Sequence, residues 1–299
     1  MISDWIEKKA LPGRRISGMR ELTGGYSNHN VVVTMDDGSA YVLRRYLRAD
    51  KSAIEAALAR RLAGVVPVPE VIAVGFAGEP VLLSRFVPGR MLSEVLMSAD
   101  PGTAGELGSV VGRALAGLGT VSFGAPGFFS DGSLTPGPPG VEPASGLDAW
   151  VDRCLAEGDV DGHLTGSERR ALREYAARAT PALTALHGSR QLVHSDFNPK
   201  NLLVVREAGR WRVSAVLDWE FAFSGPQLTD VGNMLRDPRP PGFAEAFLAG
   251  FEEAGGDLPP DWRSLSQALD LYALADFLTR PPEHRYFARS VARIRRLLA

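Results

Sequence analysis

Three side chains stand in an order that suits phosphoryl transfer. Asp196 is followed five residues later by Asn201 in His194-Ser195-Asp196-Phe197-Asn198-Pro199-Lys200-Asn201. Asp218 then closes Val216-Leu217-Asp218, with Trp219 and Glu220 behind it. Moving a phosphoryl group asks for little covalent chemistry. It needs an acceptor hydroxyl in line, a carboxylate to take its proton, and cations that neutralise the phosphate oxygens. Magnesium takes hard oxygen ligands, from carboxylates or amides. Each residue alone has a plainer reading: His194 as a core histidine, Asp218 as a strand-end aspartate. Their joint order, with strand-like segments between them, is what points to chemistry.

Those segments are Leu202 to Val205 and Val213 to Leu217, joined by a turn at Glu207-Ala208-Gly209. Upstream, β-branched and aromatic runs at Val31 to Thr34 and Tyr41 to Leu43 flank Asp36-Asp37-Gly38-Ser39 and read as a hairpin. Lys51 to Leu62 reads as a helix, with Ile54, Leu58 and Leu62 at four-residue steps. Val71 to Val74 and Val81 to Leu83 add two strands. After Pro88-Gly89 the chain turns helical, at Gly105 to Leu118, Leu147 to Leu155 and Ser167 to His187, the last interrupted by Pro181. Gly124 to Gly146, loaded with Gly, Pro and Ser, reads as an irregular loop. The expected architecture is α+β: a small antiparallel β lobe with one helix over residues 1–86, and a larger, mainly helical lobe over residues 87–299.

Bulk composition narrows the partners. A formal net charge of -2 over 299 residues gives no global pull toward nucleic acid or membrane. No apolar run reaches the roughly 18 residues that a membrane span needs. The start, Met1 to Glu7, does not read as a signal peptide. Cys154 is the single cysteine, so no internal disulfide forms, which suits a reducing cytosol. A cytoplasmic monomer or homodimer is expected.

The segments Leu192 to Val204 and Val216 to Glu220 resemble the two motifs of the aminoglycoside phosphotransferase family, with its choline-kinase and homoserine-kinase relatives, within the protein-kinase-like phosphotransferases. The resemblance implies a protein-kinase-like two-lobe fold that uses ATP, with GTP as an alternative donor, and Mg2+. It implies that Asp196 is the catalytic base or hydroxyl orienter, and that Asn201 and Asp218 bind magnesium. His194 supports the loop, and Asp230, in Leu228-Thr229-Asp230-Val231-Gly232, braces it. The stretch Leu22 to Asn30 resembles the family's nucleotide loop, which puts Gly24, Gly25, Ser27 and Asn28 beside the phosphates. Backbone alternation places Val42 and Arg44 on one strand face, so Val42 can line adenine while Arg44 reaches the phosphates with Glu55 as its partner. Arginine here replaces the lysine of protein kinases, and Arg45 is the alternative. Ser84 and Phe86 stand where a hinge backbone would meet adenine.

Asn198 replaces the lysine usual in Ser/Thr kinases, and neither Asp-Phe-Gly nor Ala-Pro-Glu occurs. Both departures favour a small-molecule acceptor. Asp148, Asp152, Glu220, Asp270 and Asp276 are the acids available to attract a cationic one, and Phe128 and Phe129 its apolar contacts. The acid run from Asp148 to Asp161 and the arginine run from Arg280 to Arg296 equally suit solvated helix faces. Three functions are therefore open. The first is an antibiotic kinase acting on an aminoglycoside or a basic peptide of the capreomycin and viomycin type. The second is a metabolic kinase acting on choline, homoserine or a sugar. The third is a nucleotide-binding pseudokinase, against which the joint presence of Asp196, Asn201 and Asp218 argues.

Overall fold

A computed structural model of the chain describes residues 2–22 and 28–299. Helix α1 (Ile2–Trp5) continues through a π-helical turn, Ile6–Ala10. Then come β1 (Ile16–Glu21), β2 (Asn28–Met35), β3 (Ala40–Tyr46), α2 (Ser52–Leu62), β4 (Val71–Phe76) and β5 (Pro80–Arg85). The five strands form one antiparallel sheet in the order β1-β2-β3-β5-β4. Alternation along β3 decides its two faces. Tyr41 and Leu43 join Trp5, Ile6, Val31, Val33 and Leu83 in a buried cluster, while Val42 and Arg44 face the other way.

The rest carries β6 (Arg90–Met91), α3 (Leu92–Leu96), α4 (Pro101–Gly119), β7 (Gly127–Phe129), β8 (Pro136–Gly137), α5 (Leu147–Glu157) and α6 (Gly166–Leu183). After these come β9 (Gln191–Val193), β10 (Leu202–Glu207), β11 (Arg210–Val216), β12 (Phe223–Gly225), α7 (Leu228–Leu235), α8 (Phe243–Glu253), α9 (Trp262–Phe277) and α10 (Arg285–Leu298). The fold is α+β, as expected. The apolar packing does not stop at residue 86, however. Ile54, Leu58 and Leu62 of α2 share the large core with α3, α4 and the helices beyond.

Several expectations change. Gly124 to Gly146 is not wholly irregular, since β7 pairs with β8 and with β12. Phe129 is buried against Phe123, with ring centroids 4.7 Å apart, so it belongs to the core. Phe128 stays half exposed beside Phe223. Helix α6 passes through Pro181 and tightens to a 3-10 turn over Thr184–Leu186.

Helix α4 spends helix propensity on glycine, at about 1 kcal/mol per position relative to alanine. The reason is its close crossing with α8. A Cβ on Gly112 would lie 2.1 Å from the Phe247 carbonyl oxygen, and one on Gly108 would lie 2.3 Å from that of Phe243. Backbone atoms cannot swing aside as a side chain can. Gly112→Ala is expected to cost about 1–3 kcal/mol through overpacking, read as a lower thermal midpoint with unchanged helix content.

Candidate active site

The loop between β9 and β10 is held from three sides. The Asp230 carboxylate, fully buried on α7, accepts the His194 amide at 2.7 Å and the Ser195 amide at 2.8 Å. Burial pushes its pKa up, and the two amides act against that by favouring the ionised form. Ser195 sits at φ 71, a left-handed conformation that costs a non-glycine residue energy. His194 is wholly buried, and burial lowers its pKa to about 4, so the ring is neutral. Its Nδ1 accepts the Asp196 amide at 3.2 Å, which leaves the proton on Nε2 to be donated to the Leu217 carbonyl at 2.8 Å. The Leu217 amide in turn donates to the Asn201 carbonyl at 2.8 Å. The loop and the residue preceding Asp218 are thus tied through one imidazole and one backbone bond.

Asp196 is held by two amides. Asn198 Nδ2 donates to Oδ1 at 2.7 Å, and Asn201 Nδ2 donates to Oδ2 at 2.7 Å and to the main-chain oxygen at 2.9 Å. Burial raises the Asp196 pKa to about 6. Arg236 opposes this, Asp218 adds to it, and the two asparagines hold it down. A carboxylate so placed is ionised at neutral pH and basic enough to take a hydroxyl proton. Because Asn201 spends its N–H groups on Asp196, its Oδ1 is left for a cation. With the Asp218 carboxylate this makes a donor pair of the hard kind magnesium uses when phosphates and waters complete its shell.

The sheet contributes the countercharge. Arg44 Nη2 lies 2.5 Å from Asp218 Oδ1 and 3.8 Å from Glu220 Oε2, and its Nε lies 3.5 Å from Glu55 Oε1. Burial disfavours the guanidinium, but Glu55 and Asp218 more than offset it and raise its pKa. Burial likewise pushes Glu55 up to about 7, with Arg44 acting in the opposite sense. Arg45, the alternative cation, pairs with Glu79 and meets His29, away from this cluster. Asn28 Nδ2 donates to Glu220 Oε2 at 3.0 Å, a second link between sheet and helical part. Glu220 is therefore engaged inside the site by the β2 asparagine, a contact that local sequence patterns do not signal. Gly24, Gly25 and Ser27 lie outside the described residues.

Two groups of expectations are corrected. The Phe86 amide donates to the Ala40 carbonyl at 3.0 Å, and Ser84 lies within β5 opposite Val42, so the Phe86 N–H is spent on the sheet. Of the acids named for the acceptor, three are taken up by arginines and Asp148 lies at the start of α5. Asp152 pairs with Arg173 at 2.7 Å on exposed surface, and Asp276 with Arg280 at 3.1 Å where both are half-buried. Asp148 is exposed at the start of α5, where its amide meets Thr180 of α6. Asp270 is buried, and Arg236 Nε bridges both its oxygens at 2.8 and 2.9 Å. The sequence reading missed Arg236, whose guanidinium field reaches Asp196; its partner lies 34 residues away, on α9.

The profile of the phosphotransferase enzyme family, APH, matches residues 18–267. No curated protein matches the chain. Among solved structures, a thermostable mutant of the aminoglycoside phosphotransferase APH(4)-Ia, crystallised with ADP and hygromycin B, aligns at 20% identity and TM-score 0.69, covering 95% of this chain and 94% of that one. The GDP and kanamycin complex of APH(2")-IIia aligns at 17% and 0.69, covering 99% and 96%. A candidate fructosamine-3-kinase from Thermobifida fusca aligns at 18% and 0.60, covering 95% of each. At such identities these likenesses show the fold alone. The profile match, across most of the chain and through Arg44, Asp196, Asn201 and Asp218, shows more: the chain belongs to the phosphotransferase enzyme family.

Proposed function

We propose that this protein transfers the γ-phosphoryl group of ATP to a hydroxyl of a small molecule. In this reading residues 1–86 hold the nucleotide and residues 87–299 carry the base and the acceptor. The observation that carries it is the Asp196 carboxylate, buried, held by Asn198 and Asn201, and raised to about 6. Asp196 takes the acceptor proton, and Asn201 Oδ1 and Asp218 hold Mg2+. Bound magnesium supplies charge neutralisation on the phosphate oxygens. Arg44 leaves Asp218 for the phosphates and keeps Glu55 as its orienting partner. Val42 lines the adenine. Backbone alternation turns Val87 opposite to Phe86, and the Val87 N–H, which has no backbone acceptor among the described residues, takes the adenine contact. Complexes with ADP and with GDP among the structural neighbours support a purine nucleotide of either kind.

For the acceptor, neighbours bound to hygromycin B and kanamycin support an antibiotic. The fructosamine-3-kinase likeness favours a metabolic sugar derivative as the second reading. The ion pairing of Asp152, Asp270 and Asp276 removes the local argument for a cation. Nucleotide-to-diphosphate turnover measured over aminoglycosides, macrolides, basic peptides, choline, homoserine and sugars separates the readings. In the same assay Asp218→Ala is expected to weaken Mg2+-dependent nucleotide binding at least tenfold. Unchanged affinity in that variant would contradict its metal role.

A further inference from the structure

Three buried polar atoms around the Arg44 guanidinium make no hydrogen bond among the described residues: Arg44 Nε, Glu55 Oε1 and the Tyr46 hydroxyl. Tyr46 ends β3, two residues after Arg44, so strand alternation puts both on one face. Tyr46 is buried, and its ring packs with Ala56 of α2 and Leu82 of β5. Ala56 directly follows Glu55, so the ring meets the helix at the residue beside the partner of Arg44. The guanidinium lies over this ring, with Cζ 5.5 Å from its centroid. Burial raises the pKa of the hydroxyl, so Tyr46 keeps its proton and stands as a donor.

The cluster is only half made. Arg44 Nε and Glu55 Oε1 are 3.5 Å apart, outside the roughly 2.7–3.2 Å of an N–H···O bond. The guanidinium is drawn elsewhere, to Asp218 Oδ1 at 2.5 Å, with Glu220 Oε2 at 3.8 Å. A buried donor or acceptor left unpaired is unfavourable, so each one calls for a reason. A loose corner of packing would explain one such atom. It does not explain an N–H, an O–H and a carboxylate oxygen with lone pairs for both.

We propose that these three atoms form a second seat for Arg44, and that Tyr46 is its positioning residue: the hydroxyl donates to Glu55 Oε1 and holds that oxygen for Arg44 Nε once the guanidinium leaves Asp218. This rests on the phosphotransferase reading above, in which Arg44 turns to the phosphates and Asp218 to Mg2+. In the form seen here Arg44 occupies Asp218, so a metal-bound nucleotide must displace it. The bonds completed at the second seat offset the partner lost. The seat suits arginine in particular, since Tyr46 offers a ring face to the guanidinium and Glu55 a bond to an Nε–H that lysine lacks.

Tyr46→Phe keeps the ring and removes only the hydroxyl. That hydroxyl has no partner in the nucleotide-free protein, so the variant is expected to keep its thermal midpoint within about 2 °C of wild type. Its affinity for Mg2+-ADP, read by calorimetry, is expected to fall at least about fivefold, the weight of one hydrogen bond. The nucleotide KM should rise in step, while kcat at saturating nucleotide stays within about twofold. In Glu55→Ala protein the hydroxyl has no carboxylate to hold, and adding Tyr46→Phe is expected to cost less than about twofold in Mg2+-ADP affinity. An affinity of Tyr46→Phe within about twofold of wild type overturns the proposal, whatever its midpoint. So does an equal loss with and without Glu55, which would mean that Tyr46 acts by another route. Failure of the phosphotransferase reading looks different: wild-type protein forms no ADP from ATP with any acceptor, while the Mg2+-ADP titrations still decide the role of Tyr46.

Discussion

Asp196→Ala is expected to lower kcat by about 10^2–10^4, the range supplied by a positioned general base, while nucleotide affinity changes less than about twofold. The second half of that expectation comes from Asn201. Its amide donates both to the Asp196 side chain and to the Asp196 main-chain oxygen, so truncation leaves the 2.9 Å main-chain bond in place. Asn201 Oδ1 therefore keeps its direction, and Asp218 and Arg44 are untouched. Isothermal titration with Mg2+-nucleotide and steady-state turnover check the two halves separately. A variant that keeps more than a tenth of wild-type kcat would remove Asp196 from the chemistry.

The same residue sets a pH dependence. The working form is the carboxylate, and burial has raised its pKa to about 6. Activity is thus fully present well above pH 6 and is lost as pH falls through it, with kcat/KM for the acceptor dropping tenfold per unit below the inflection. Magnesium bound at Asp218 would move the inflection lower, because a nearby cation favours the ionised acid. Residual activity of Asp196→Ala should lose this inflection. A wild-type profile flat from pH 4.5 to 7 would contradict the assignment.

Much of the site was legible because its signals are local. Asp196 and Asn201 share one loop, and Asp218 follows a hairpin whose strands announce themselves by β-branched residues. Arg44 and Glu55 were legible through strand alternation and a clear amphipathic helix. What escaped depends on long-range packing. Asp270 reads in the sequence as an acid for the acceptor, and nothing local joins it to Arg236 until α7 and α9 are brought together. Arg293 of α10 reads as part of a wet helix face until Asp237, just past the end of α7, is brought to it. Strand β1 escaped because Ser17-Gly18-Met19-Arg20-Glu21 is exposed and lacks alternation, and β9 and β12 because three residues are too few to show a period. The acids expected to attract a cation failed for a general reason. A carboxylate count says nothing about which arginine will answer each one on folding.

The largest expected loss of stability comes from Asp230→Ala. The Asp230 carboxylate is the partner of two amides, the buried one of His194 and the half-buried one of Ser195. Removing it leaves both donors without their acceptor, at about 1–3 kcal/mol each. The total, about 2–6 kcal/mol, corresponds to a fall in thermal midpoint of roughly 3–10 °C for a chain of this size. Activity falls as well, because Ser195 at φ 71 is free to relax and carries Asp196 with it. Ser195→Gly isolates the cause. Glycine adopts that φ without strain, so this variant keeps the amide bond and is expected to stay within about 1 kcal/mol of wild type. If the lost bonds are the cause, Asp230→Ala and Asp230→Ala with Ser195→Gly lose comparable stability. If backbone strain were the cause, the glycine would restore most of it. A midpoint for Asp230→Ala within 2 °C of wild type, measured by calorimetry, would mean that α7 does not brace the loop (roughly 1 kcal/mol or less). The role of the helix would then be limited to carrying Arg236 to Asp270.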